Sequence, residues 1–468
     1  MQENNVAGAS QPSFRKFLSR HRIAILIILF LALGFRVVLA VRYSLLAGDE
    51  NRYTTPAINM LAGRGFSNDE SPPYRPTAHV VPLYPLFIAT VYAVFGENNS
   101  AVRITQDLID LLTCLLVAFI AFRLAPASLA GPAAMMSLII YGCLSWFTVH
   151  WTRYILTETM ALFLTTLAIA VSIAATHKRR WPWLLVGAIC GLALLTRADS
   201  VLLVSALVLF SIFELWRRRF HAMASLLFFS LGIAIVLAPW TARNYEAFGE
   251  VQPLASEYGF ARGGFMPTGY LWWIRTWMTD ETYLSAFNPA FLPGDRSFDP
   301  RELPDSIFDS AGERAQVLQL FDEYQKVGQF TPEMSDSFRT IANQRIKRAP
   351  FRFLIWLPIR RVASVWLTGF STHNRPHRFL RILFVLPILI GGVLGFAFFS
   401  RNRPLAQLLL LVILTRTIFL AYHYSPETRY IVEAYPAMIA ACGVSGATLW
   451  LYCRESWLAK WRRVKIEG

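Results

Sequence analysis

Ten stretches of this chain read as candidates for crossing a lipid bilayer, and that restricts its fold more than any other feature. A spanning helix needs about 20 mostly apolar residues. The candidates are residues 22–45, 101–123, 128–149, 155–176, 182–197, 199–216, 221–240, 379–400, 404–423 and 430–453. Composition agrees: of 468 residues, 55% are hydrophobic and 16% charged, whereas a soluble domain carries about 25% charged residues. The fold class expected is an all-α polytopic membrane protein of about ten transmembrane helices.

The flanking charges orient these spans, because Lys and Arg collect in cytoplasmic loops. The basic stretches at 177–180, 217–219 and 401–403, and the tail 454–468, fall on one side with the N-terminal tail 1–21. That tail ends in Arg15, Lys16, Arg20 and His21, and the following run is too long for a signal-peptide core and lacks a small-residue cleavage site. It reads as an uncleaved first span. The opposite side receives loop 46–100, the turn near Arg197 and Asp199, segment 241–378 and the stretch 423–429. Residues 351–370 are apolar but carry Pro358, Arg360 and Arg361 at their centre. Each Arg there would cost about 2.5 kcal/mol or more in a span, so this stretch is expected as an amphipathic helix lying in the interface. The divisions are then a cytoplasmic tail 1–21, an N-terminal transmembrane module 22–240 containing loop 46–100, an extracytoplasmic segment with an interfacial helix 241–378, C-terminal spans 379–453 and a cytoplasmic tail 454–468.

A net charge of +15 arises from Lys and Arg dispersed between apolar runs, which fits anionic lipid and excludes a nucleic-acid-binding surface. The five cysteines lie in or beside apolar segments without C-x-x-C spacing, so they read as packing residues. No Walker or Gly-x-Gly-x-x-Gly loop is present.

Loop 46–100 opens on the acidic pair Asp49-Glu50, directly after the first span. Ionised groups at a membrane boundary are costly to place and tend to mark function. The alternative is that the pair caps the following helix. Thr55-Pro56 is expected to start that helix, with Ile58, Leu61 and Ala62 on one face and Gly63 and Gly65 ending it. The apolar stretch from Pro85 to Phe95 is too short to cross, so two helices along the membrane surface are expected. Segment 241–350 is aromatic early, then rich in Pro and Asp, with helices expected at 312–326 and 332–348. Tyr270, Trp272, Trp273 and Trp277 read as an interfacial belt, sugar stacking being the alternative. Asp107 and Asp110 are expected to pair with Arg103, and Glu158 either pairs with an Arg such as Arg153 or binds an acceptor.

Five motifs recur along the chain in a particular order. They are Asp49-Glu50 followed by Tyr53; P-L-Y-P-L-F at 82–87 with Phe95-Gly96; Thr157-Glu158 opening a helix; P-W-T-A-R-N-Y-E-A-F-G at 239–249; and Glu427, Arg429, Tyr430 and Pro436 opening the last span. In that order and spacing they resemble the GT-C fold membrane glycosyltransferases, in particular bacterial relatives of the dolichyl-phosphate-mannose protein mannosyltransferases of glycosyltransferase family 39. The resemblance covers residues 20–260 and, less fully, the last spans; 261–350 match nothing in it. Pro56 departs from the pattern by standing where it would kink a helix begun at the acidic pair.

The resemblance implies sugar transfer from a polyprenyl-phosphate donor to an envelope glycan, lipid or protein acceptor, at the extracytoplasmic face of the cell's inner membrane. It makes Asp49 the base that takes the acceptor proton, with Glu50 holding the acceptor or orienting Asp49. The leaving lipid phosphate needs fixed positive charge. Arg243 at the outer end of the seventh span and Arg429 are the first candidates, Arg75 and His79 the next. Glu158, Tyr53, Asn244 and Glu427 are expected to support the site or the acceptor. No cofactor is required by this reading, and a divalent metal stays open. The competing readings are a flippase or transporter of lipid-linked sugars, which would show pseudo-symmetric halves, and a polymerase or ligase using a lipid diphosphate donor.

Overall fold

The computed structural model describes residues 13–42, 49–175, 181–218, 220–255, 265–281, 301, 303–368, 375–400 and 402–467. The described residues are helical or irregular, with no β-strand among them. The basic loop 177–180, residues 47 and 48, the start of the Pro- and Asp-rich stretch (288–300) and Arg401 lie outside them.

In chain order the helices are α1 (Phe14–Arg20), α2 (Arg22–Arg42), α3 (Asn51–Leu61), α4 (Leu83–Phe95), α5 (Asn99–Leu124), α6 (Ala130–Ile139), α7 (Trp146–Val149), α8 (Glu158–Ala174), α9 (Pro182–Leu194), α10 (Val201–Arg218), α11 (Phe220–Phe248), α12 (Thr268–Ile274), α13 (Ala311–Val327), α14 (Pro332–Arg348), α15 (Leu357–Ala363), α16 (Arg375–Leu394), α17 (Arg403–Tyr422) and α18 (Tyr435–Glu467). Five helical stretches are long and apolar enough to cross a membrane: Arg22–Ala40, Met223–Phe248, Phe379–Phe399, Arg403–Tyr422 and Thr428–Ser456. A sixth results if Ala130–Leu144 and Trp146–Arg153, bent by 52°, form one span. This is a multi-pass, all-helical membrane protein.

The chain forms two compact units, one of Met1–Leu254, Leu386–Ile413 and Val432–Gly468, the other of Ala255–Val385 and Leu414–Ile431. In the first, α5 is built inside out. Ile104, Leu108 and Leu112, spaced at i, i+4 and i+8, are exposed, while Arg103, Gln106, Asp107 and Asp110 are buried. Placing the charged row inward is how a helix in lipid carries ionisable groups. Arg36 of α2 meets that row: its guanidinium lies 2.7 Å from Asp110 and also donates to the carbonyls of Ala32 and Gly142. Tyr141 donates to the other Asp110 oxygen at 2.7 Å. Three segments are thereby joined at one fully buried charge pair, and the expected Asp110–Arg103 pairing is replaced by Asp110–Arg36.

Glycine allows a close helix contact in this unit. A Cβ on Gly187 of α9 would stand 1.9 Å from the Phe229 carbonyl oxygen of α11, and one on Gly232 of α11 would stand 2.2 Å from that of Leu184. Small residues at four-residue spacing, Gly187 and Gly191, let the two backbones touch, which replaces the hydrophobic drive that lipid does not supply.

The second unit has an aromatic core. Tyr270 and Trp273 are fully buried and pack with Phe321, Phe330 and Phe338. An interfacial belt is therefore the wrong reading for these two: helical spacing turns them inward onto α13 and α14. Those helices start at Ser310, which accepts from the Glu313 amide, and at Thr331, which accepts from that of Met334. Gly328 in the left-handed region (φ 79°) ends α13.

Removing one member of a buried pair strands the other, at a cost of about 3–5 kcal/mol. Arg36→Met should lower thermal stability in detergent by that order, and Arg36→Met combined with Asp110→Leu should restore most of it. Equal destabilisation by the single and double substitutions would show that the pair does not hold α2 to α5.

Candidate active site

The acidic pair is where α3 begins. Glu50 is its N-cap and Pro56 lies inside it, so the helix starts four residues before the expected Thr55. Pro56 stands in the second turn, where the helix accepts it as a buried residue facing inward beside Ala57. Leu61, at the end of α3, is exposed, and Gly63 and Gly65 take φ values of 70° and 78° after the helix ends.

The two acids have opposite environments. Glu50 is 3% exposed. One of its oxygens accepts from the Ile155 amide at 3.0 Å and the other pairs with Arg103 at 3.5 Å. Asp49 is half-buried and lies 3.4 Å from the half-exposed Arg52, one turn on. A buried, doubly tied carboxylate is an anchor; an accessible one beside it can meet a substrate.

The anchor extends through α5. Arg103 donates from Nε to the Arg153 carbonyl at 2.8 Å, and the Gln106 amide donates to the carbonyls of Thr152 (3.0 Å) and Tyr154 (2.8 Å). The Tyr84 hydroxyl donates to Gln106 Oε1. Burial, and then the charges of Glu158 and its neighbours, hold the Tyr84 phenol far above its ordinary range, so it stays a donor. Residues 150–153 form a 3-10 turn and 154–156 a bend, and the carbonyls of Thr152, Arg153 and Tyr154 and the Ile155 amide are met by side chains of α5 and by Glu50, as a buried turn requires.

That turn delivers Glu158 at the start of α8. Glu158 is buried and pairs with Arg197 at 2.8 Å, not with Arg153. Arg197 also contacts Asp199 at 3.0 Å, and the Leu195 carbonyl accepts from the Leu83 amide, tying the end of α9 to the start of α4. Glu158 Oε2 is buried without a hydrogen-bond partner among the described residues.

Arg243, at the end of α11, organises the rest of the first loop. Its guanidinium donates to the carbonyls of Thr77 (2.7 Å) and Phe66 (3.1 Å) and to Asn244 Oδ1 (2.9 Å), and it packs over the rings of Phe66, Trp240 and Phe248. Asn244, fully buried, donates in turn to the Gln252 carbonyl. Two residues past Thr77 is His79, beside Asp49 and Arg52. Burial holds its imidazole below the ordinary range, with the Arg52 charge acting in the same direction and Asp49 against it. Tyr53 packs edge-on against Tyr84 at 5.2 Å. Arg75 makes an exposed two-bonded contact with Asp69.

Asp49, Glu50, Tyr53, His79, Glu158, Arg243 and Asn244 thus all take part in contacts within the first unit that involve the first loop or the turns before α8 and after α9. Arg52 and Arg103 complete this set. Sequence reading passed over Arg52 and assigned Arg103 to other acids, although Arg52 stands one helical turn from Asp49. Among the described residues no group of three or more His, Cys, Asp or Glu could hold a metal ion.

Glu427 and Arg429 lie in the second unit. They pair with each other at 2.6 Å, Ser425 donates to Glu427, and Arg429 packs over Tyr430. Close by, the Thr428 amide donates to buried Glu281. Burial, and then the Glu427 charge, push the Glu281 carboxyl up to about 7.

Comparison with known proteins bears out the resemblance. Residues 75–242 match the family model described as dolichyl-phosphate-mannose-protein mannosyltransferase. The undecaprenyl phosphate-alpha-4-amino-4-deoxy-L-arabinose arabinosyl transferase of Erwinia tasmaniensis is 30% identical over 232 residues, 47% of this chain and 39% of its own length. The chain therefore aligns with about two fifths of that relative. The archaeal oligosaccharyltransferase AglB from Archaeoglobus fulgidus, in complex with an inhibitory peptide and a dolichol-phosphate, superposes with a TM-score of 0.51 at 12% identity, over 93% of this chain and 52% of that one. The apo form of the Archaeoglobus fulgidus oligosaccharyltransferase gives 0.51 at 14%, over 92% and 51%. At such identities the likeness is one of fold.

Two outcomes follow. Lysine lacks the fork that reaches two carbonyls, so both Arg243→Lys and Arg243→Ala should raise amide hydrogen exchange across residues 66–79; unchanged exchange would remove Arg243 from that role. Glu281 titrates near 4.5 when unfolded and near 7 when folded, so between those values the folded state keeps a proton that the unfolded state releases. Stability should fall as pH rises through that window and level off above it. Glu281→Gln should flatten this part of the melting-temperature profile; an unaltered slope would contradict the assignment.

Proposed function

We propose that this chain is a membrane glycosyltransferase that moves a sugar from a polyprenyl-phosphate donor to an envelope lipid, polysaccharide or protein acceptor on the outer face of the membrane. The observation that carries the reading is the pairing of an accessible Asp49 with a buried, anchored Glu50 at the head of α3, in a chain whose residues 75–242 match a mannosyltransferase family model. The arabinosyl transferase relative, named for an undecaprenyl phosphate donor, supports the donor class.

In this reading α5, α8, α9 and α10 join the longer helices as spans, giving about ten, with both termini in the cytoplasm and the site end of the first unit outside. Residues 22–240 form the transmembrane module, 241–378 the extracytoplasmic segment and 379–453 the closing spans.

Asp49 takes the proton of the acceptor hydroxyl as its oxygen bonds to the anomeric carbon. The bond from that carbon to the phosphate oxygen breaks, and polyprenyl phosphate leaves with the electron pair. Attack opposite the leaving group inverts the anomeric centre. Arg52 supplies a cation 3.4 Å from Asp49. An incoming lipid phosphate competes with Asp49 for that guanidinium, and the carboxylate becomes more basic as its partner is drawn away. Neutral His79 can donate to the same phosphate. Arg243 acts one step removed, by shaping the backbone that carries His79, and Glu50 orients Asp49 through the start of α3. Glu158 and Tyr53 line the acceptor side. Arg75 is the weakest candidate for phosphate, because Asp69 neutralises it.

The test is transfer by purified protein in nanodiscs, supplied with polyprenyl monophosphate-linked sugar and extracted envelope acceptors. Asp49→Asn should lower kcat by about 10²–10⁴, the usual worth of a general base, and Arg52→Gln should raise KM for the donor. Transfer only from diphosphate-linked oligosaccharide, or near wild-type transfer by Asp49→Asn, would overturn the proposal.

A further inference from the structure

The second unit contains a cation that its own residues leave uncompensated. Arg275, just past α12, lines a cavity of about 510 Å³ together with Thr268, Trp272, Phe419, Tyr422 and His423. Its guanidinium lies over the rings of Trp272 (4.8 Å), Phe353 (5.6 Å) and Tyr422 (5.9 Å). It makes no hydrogen bond or ion pair among the described residues, and its Nε is buried without a partner. A buried donor left this way costs about 1–3 kcal/mol, and stacking on rings recovers only part of it.

A second guanidinium deepens the imbalance. Arg361 is fully buried and donates to the carbonyls of Met278, Ala421 and Arg275, with no carboxylate among them. Burial, and then the Arg275 charge, push Arg361 down to about 10. Glu281 is engaged with the Thr428 amide and Glu427 with Arg429. Two neighbouring guanidiniums, neither with a carboxylate partner among the described residues, make a site for negative charge.

The surroundings say what carries that charge. The cavity wall includes Ile418, Phe419 and Tyr422 at the end of α17, a helix apolar enough to cross a membrane. Tyr422 donates to the Leu354 carbonyl, and the helix bearing Leu354 exposes Phe351, Leu354, Ile355, Trp356 and Ile359. A large exposed apolar face adjoining an unpaired cation is the pattern of an amphiphile site. The Arg361 nitrogens each donate to a carbonyl, so Arg275 is the guanidinium left to meet a headgroup phosphate.

We propose that the cavity around Arg275 binds the phosphodiester headgroup of a membrane glycerophospholipid, whose acyl chains lie along the exposed face of residues 351–359. This site is separate from the donor reading of Asp49 and does not rest on it.

The experiment is native mass spectrometry of the full chain, delipidated in neutral detergent and titrated with phosphatidylglycerol, diacylglycerol, polyprenyl monophosphate and inorganic phosphate. Phosphatidylglycerol should bind the wild type at least about tenfold more tightly than Arg275→Gln, the loss of one charge-assisted contact, and diacylglycerol should not distinguish them. Equal phosphatidylglycerol binding by both proteins, or diacylglycerol binding as tight as phosphatidylglycerol, overturns the proposal. So does polyprenyl monophosphate excluding phosphatidylglycerol from the site, or inorganic phosphate alone displacing it. Should Arg275→Gln fail to fold, a photoreactive phosphatidylglycerol on the wild type decides: adducts in α12 or residues 351–368 support the site, and adducts confined to other helices refute it.

Discussion

The contact between Glu50 and Arg103 is the one on which the candidate site depends. A carboxylate at a membrane boundary, removed from water, persists only if its charge and lone pairs are met. Glu50 is met by a guanidinium from α5 and by the Ile155 amide. The same Arg103 holds the Arg153 carbonyl. One buried acid thus fixes the start of α3, the first turns of α5 and the turn leading into α8. Asp49 is positioned as a consequence, because its backbone is the last residue before that anchor.

Further ties of the same kind place the remaining groups. Arg243 draws two carbonyls of the first loop to the end of α11, and Arg197 bridges Glu158 to its own turn. In each case a planar, permanently charged group satisfies backbone or carboxylate oxygens that no regular helix would satisfy. Arginine suits this better than lysine because its donors are fixed in a fork. Arg36 does the same deeper in the bundle, where it joins α2 to α5. The family model covers residues 75–242, which include the turns that Arg103 and Arg197 hold.

Much of this was legible in the sequence, and the failures have a common cause. Long apolar runs gave the membrane class, and Ser310, Thr331 and Gly328 bounded α13 and α14 through local hydrogen bonding that needs no tertiary context. The acidic pair stood out because charge at that depth is rare. Partners were not legible. Spacing suggested that Asp110 pairs with Arg103 on its own helix, yet the two acids of interest found arginines 74 and 53 residues away. Burial decides such pairings, and burial is not a local property. The start of α3 was misplaced for the same reason: Thr55-Pro56 is a good local cap, but tertiary ties to Glu50 begin the helix earlier. Tyr270 and Trp273 looked interfacial by type and proved to be core, since position in α12 and not residue type turns them inward.

Glu50 and Arg103 therefore act as a single tie that presents Asp49. A double-mutant cycle read in the rate of sugar transfer tests this directly. Glu50→Gln and Arg103→Met should each slow transfer by at least about tenfold, as small displacements of a reacting group do, and the double variant should be no slower than the worse single one. Effects that multiply, or single variants that transfer at the wild-type rate, would contradict it.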